Sequence, residues 1–150
     1  MDYHTVVWSH EITFPGQRTS VSGAREFVGH HLREHGLSEL ADDAQLVASE
    51  LATNAVVHAR TPFTLTLQVM TRQVLLLKVR DRAPSAPVLV VAPVLHQGRA
   101  ARRGMALVER ISRDWGVTGH ADGSKSVWAS FDVPPMSTRD SWTARGRKGG

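Results

Sequence analysis

The sequence has no cysteine and no long apolar run, and no secretion signal is expected from its opening residues. Without thiols there can be no disulfide and no thiolate metal centre, and the chain suits a reducing compartment. No segment approaches the roughly 20 apolar residues needed to span a bilayer. The opening stretch MDYHTVVWSHEITF lacks both a basic n-region and a continuous apolar h-region. A cytoplasmic protein is therefore the expectation. At 150 residues the chain is expected to form one domain that can bury a core without covalent or metal staples.

The body also has little net charge. The chain carries +4 overall, but the segment from Ser137 to Gly150 holds Arg139, Arg145, Arg147 and Lys148 against Asp140 alone. Most of the excess therefore sits in a Gly-rich tail of low hydrophobicity, which reads as a disordered end. A phosphate-binding surface would instead place Lys and Arg on a folded face. Direct nucleic-acid binding is not expected. The expected division is a domain over residues 1–136 and a basic tail over residues 137–150.

What is present is a clear order of elements. Thr5 to Phe14 is β-branched and aromatic and stops at Pro15-Gly16, as a strand would. Ala24, Phe27, Val28 and Leu32 fall at helical spacing before Gly36. Ser38 to His58 reads as one long helix, with Ser38 as N-cap and acidic residues in its first turns. FTLTLQVM and VLLLKVRD, separated by Thr71, Arg72 and Gln73, read as an antiparallel hairpin. The Pro-containing stretch Ala83 to Gly98 reads as irregular, and GMALVERISR as a helix starting at Gly104. The stretch from Trp115 to Val133 reads as two strands around an Ala121–Ser124 turn. Antiparallel strands with helices gathered on one face imply an α+β two-layer sandwich. The alternating β-α units of a doubly wound parallel sheet are missing.

Three groups of residues could carry chemistry. In SELATNAVVHAR, Glu50, Asn54 and His58 recur every fourth residue and form one stripe beside the apolar side of the helix. Gln45, Ser49 and Thr53 then read as its solvent face. The stripe is either a set of ordinary boundary residues or one wall of a site, because a carboxylate at a buried edge costs desolvation unless something completes it. Asp81 has the parity of Leu75, Leu77 and Val79. It therefore faces the apolar side where the strand ends, either as a turn-initiating residue or as a ligand. The stretch GRAARRGMALV places Gly98, Gly104 and several arginines at a helix start, a pattern that also suits an anion.

In this order the motifs resemble those of the GHKL ATPase superfamily, which has the Bergerat nucleotide-binding fold. The likeness is strongest to the anti-sigma-factor serine/threonine kinases abundant in actinobacteria. ELATNAVVHA resembles the N box, VRDRAPSAP a reduced G1 box, RRGMALVERISRDWGV the G2 region and GSKSVWASFDV the closing hairpin. The resemblance covers about Val6 to Val133.

The resemblance implies a set of roles. Asn54 would hold a Mg²⁺ ion that bridges the phosphates of ATP. Glu50 would be the base that positions or deprotonates the attacking hydroxyl. Asp81 would accept from the adenine amino group. Gly104 and Met105 would lie in the lid, with Arg103 and Ala83 beside the nucleotide. Ser126 would replace the threonine near adenine, and His58 would lie near the phosphates. The implied protein is a dimeric regulatory kinase that phosphorylates an anti-anti-sigma (STAS-domain) partner, sequesters a sigma factor, or does both. Two departures stand out. Ala83 and Ser85 occupy glycine positions of the G1 box, and Arg102 occupies the first glycine position of the G2 box. A Cβ at such positions restricts positive φ and close approach to phosphate. A non-catalytic interaction module on the same fold is therefore the alternative.

Overall fold

The computed structural model describes residues 5–82 and 99–134. The readings for Ala83 to Gly98 and for the tail lie outside these residues. Strand β1 (Val6–Phe14) leads into helix α1 (Thr19–Glu34). A 3₁₀ turn (Ser38–Leu40), helix α2 (Ala41–Asn54) and a π turn (Ala55–Ala59) follow. Then come β2 (Phe63–Met70), β3 (Val74–Asp81), helix α3 (Arg99–Ile111), β4 (Asp114–Gly119) and β5 (Lys125–Asp132).

The strands form one sheet in the order β1-β2-β3-β5-β4, and each neighbouring pair is antiparallel. Strand alternation decides its two faces. Phe63, Leu65, Leu67 and Val69 of β2 face the core, in register with Asp81, Val79, Leu77 and Leu75 of β3. Val127, Ala129 and Phe131 continue that face on β5. The helices cover it with Ala24, Val28 and Leu32 of α1, Val47, Ala48 and Leu51 of α2, and Met105 and Val108 of α3. Leu51, Leu65, Leu67 and Leu77 are wholly buried, and each contributes about 1.5–3 kcal/mol through the water it leaves. This is the α+β two-layer sandwich that the order of elements implies.

The central helix differs from its sequence reading in two respects. Ser38 makes no side-chain cap; a 3₁₀ turn, with the Leu40 N–H bonded to the Leu37 carbonyl, feeds into α2 instead. The regular α-helix also stops at Asn54 and widens into the π turn, which closes where Arg60 adopts a left-handed conformation (φ 56°) and its N–H reaches the Ala55 carbonyl. Single π turns of this kind recur at functional sites. The apolar side of α2 is buried and Thr53 exposed as read, but the rest of the expected solvent face differs. Gln45 donates from Nε2 to the Arg25 carbonyl of α1, while Leu46 (40% exposed) and Val57 (51% exposed) lie on the outside. Gln45 thereby marks the seam with α1, while the Ser49 hydroxyl bonds within α2, to the Gln45 carbonyl.

Candidate functional site

The end of the sheet near Phe63 and Asp81 is where the pieces meet. The π turn packs on β3, and α2 packs on β3, β5 and α3. Thr61, just past the π turn, accepts a hydrogen bond at Oγ1 from the Arg82 N–H (3.3 Å), which ties the loop after α2 to the end of β3. Gly16 lies against the same loop: a Cβ there would stand 2.6 Å from the Thr61 carbonyl oxygen, so only glycine allows this approach. Glu50, Asn54 and Asp81 are thereby carried by elements locked to one another.

Asp81 is 3% exposed on the helix-covered face, as the parity of β3 predicts. Its Oδ2 lies 3.6 Å from Nζ of Lys125, the residue directly opposite it on β5. A buried carboxylate needs such partners to offset its desolvation. Asn54, half-buried at the last turn of α2, donates from Nδ2 to Sδ of the buried Met105 at 3.5 Å. This contact joins the N-box helix to α3 and leaves the amide oxygen as the acceptor of that side chain. Glu50 is half-buried one turn earlier and has no hydrogen-bond or ion-pair partner among the described residues.

The other sequence-derived candidates fare differently. Ser126 is buried, but it pairs with Arg80 and so lies on the opposite face of the sheet from Asp81, bonded to Nε2 of His120 at 2.8 Å. The strand residue beside Asp81 is Lys125, which the motif comparison missed. The turn at Asp122-Gly123 sets only the pairing of β4 with β5, with Gly119 opposite Lys125, so the β3–β5 register that places Lys125 across from Asp81 is not fixed by any local turn. The helix expected to start at Gly104 starts at Arg99, so Gly104 lies inside α3 and its N–H is not one of the free amides of the first turn. Ala100 and Ala101 are strong helix formers, which accounts for the longer helix. Any anion held by the helix start would meet the amides of residues 99–102 instead. His58 belongs to the π turn and Arg103 to α3, and Ala83 lies outside the described residues.

A polar groove of about 540 Å³ occupies the other face of the sheet, lined by Glu11, Thr64, Thr66, Lys78, Arg80 and Asp122 among others. Within it Arg80 is 3.0 Å from Asp122, whose carboxyl pKa is lowered to about 2 by two hydrogen bonds from Ser124 and by the Arg80 guanidinium. Asp81, Asn54 and Glu50 take no part in it.

The sequence profile described as "Histidine kinase-like ATPase domain" matches residues 14–131. The chain belongs to the histidine kinase-like ATPase domain family. Solved structures agree on the fold. A chain of the crystal structure of the SiaB-SiaC complex from Pseudomonas aeruginosa superposes with a TM-score of 0.63 at 12% identity, over 84% of this chain and 89% of that one. The histidine kinase domain of the blue-light activated histidine kinase of Erythrobacter litoralis EL346 does so with a TM-score of 0.51 at 19% identity, over 83% of this chain and 64% of that one. No curated protein sequence matches the chain. None of the helices among the described residues is long and apolar enough to cross a membrane.

The pairing of Lys125 with Asp81 gives a first prediction. Lys125→Met leaves the buried carboxylate without its cation and is expected to lower stability by about 1–3 kcal/mol. Lys125→Arg should retain most of it. Urea unfolding monitored by tryptophan fluorescence measures both, and equal loss in the two variants would contradict the assignment.

Proposed function

We propose that the chain is an ATP-binding regulatory serine/threonine kinase of the anti-sigma-factor type, whose substrate is a small STAS-domain partner. The observation that carries this reading is the buried Asp81 at the end of β3, beside the helix that bears Glu50 and Asn54. A carboxylate on the covered face of a sheet is costly and suits an exocyclic amino group as its ligand. Membership of the ATPase family makes adenine the natural source of that group.

The donor set also fits Mg²⁺. The Asn54 amide oxygen is a hard, neutral ligand, and Mg²⁺ takes few protein ligands when phosphates and waters supply the rest. When bound, the ion would neutralise charge on the phosphates. Glu50, four residues before Asn54 on the same helix face, would accept the proton of the attacking serine or threonine hydroxyl. The first-turn amides of α3 would face phosphate oxygens. Phosphoryl transfer needs little more than this positioning and charge stabilisation.

A second reading has its own support: with Ala83, Ser85 and Arg102 at positions where the family pattern has glycine, the protein would bind its partner without turning over ATP. Incubation of the full chain with γ-labelled ATP, Mg²⁺ and the STAS-domain proteins of the same genome separates the two. The kinase reading expects label on a serine or threonine of one of them. Stable complex formation without transfer, equal with and without ATP, would overturn it in favour of the binding module.

A further inference from the structure

Away from Asp81, against the middle of β1, the last turns of α1 gather an unusual set of side chains. His30 and His31 stand four and three residues before Glu34, so both neighbour it on the helix surface. Glu34 Oε1 lies 3.3 Å from His30 Nε2 and 3.6 Å from His31 Nδ1. The His31 Nδ1 atom is buried and has no hydrogen-bond partner, the 3.6 Å separation being too long for one. Around it, His10 of β1 stacks on His31 with ring centroids 3.8 Å apart, and His10 Nε2 meets His35 Nε2 at 2.9 Å.

We propose that the C-terminal turn of α1 is a binding site for a borderline transition-metal ion such as Zn²⁺, held by His30, His31 and Glu34. One ligand atom from each of the three lies within 4.8 Å of the others. Nitrogen and oxygen ligands about 2.0–2.2 Å from a tetrahedral ion stand roughly 3.3–3.5 Å apart, which is close to both separations from Glu34. The orphaned Nδ1 supplies the lone pair that an ion would take up. Two imidazoles and a carboxylate form a three-ligand set that leaves one position for water. The negative end of the α1 dipole favours a cation there. Burial and the neighbouring His10 and His30 hold His31 below its usual pKa, and burial with His10 does the same for His35, against an opposing pull from Glu34.

The site is separate from Asp81, Asn54 and Glu50, so its fate is independent of the nucleotide reading. Zn²⁺ titration of the untagged full chain against a chromogenic chelator tests it. One equivalent is expected to bind and to raise the melting temperature. His30 and Glu34 are well exposed, so His30→Ala and Glu34→Gln should fold normally. Each should weaken binding by about 100-fold, the upper range for loss of even an outer-shell partner. Absence of saturable uptake, or uptake that survives both substitutions, would overturn the site; the second result would place the ion on other histidines.

Discussion

Asp81→Asn is expected to weaken ATP binding by roughly 10- to 100-fold while the protein remains folded. A hydrogen bond to a charged acceptor is worth about 1.5–3 kcal/mol, and the asparagine amide can also present a donor towards the adenine amino group. Asp81 sits at the end of β3, and its partners Phe63 and Lys125 are fixed by the ladder on either side. The backbone that presents the side chain is therefore set by the sheet, and an isosteric change should leave it in place. Lys125 is partly exposed and can turn to solvent when its carboxylate loses charge. Circular dichroism checks the fold and calorimetry the affinity; unchanged affinity in a folded variant would remove Asp81 from the site.

The second large effect is on chemistry. Glu50→Ala is expected to leave nucleotide affinity within a few-fold of wild type and to reduce phosphate transfer by on the order of 10²–10⁴, the range for loss of a general base. Alanine is the best helix former, and Glu50 makes no bond among the described residues that its removal would break. Stability should therefore change little. A loss of ATP affinity equal to the loss of transfer would contradict the assignment, since it would make Glu50 a binding residue.

The sequence reveals the layers of this protein better than its details. Alternation in FTLTLQVM and VLLLKVRD indicates the hairpin and the inward parity of Asp81, because a period of two leaves one choice of face. The Glu50–Asn54 stripe is legible for the same kind of reason, one helical turn apart on α2. Three features are less so. The π turn after Asn54 has no propensity signature; it forms where the helix meets the loop tied to Arg82. The solvent face of α2 is legible only in part: Thr53 is exposed, but Gln45 is polar yet serves the α1 seam, while Leu46 stays outside. Ser126 is misassigned because a motif fixes residue type and not strand parity, and a one-residue offset moves a side chain to the other face.

The central claim is that Asp81, Asn54 and Glu50 bind ATP with Mg²⁺. Isothermal titration of the full chain with ATP, with and without Mg²⁺, tests it most directly, alongside Asn54→Ala and Asp81→Asn. Saturable heat at one nucleotide per chain is predicted, weakened without Mg²⁺ and in both variants. No heat at millimolar ATP, or heat indifferent to both substitutions, would contradict it.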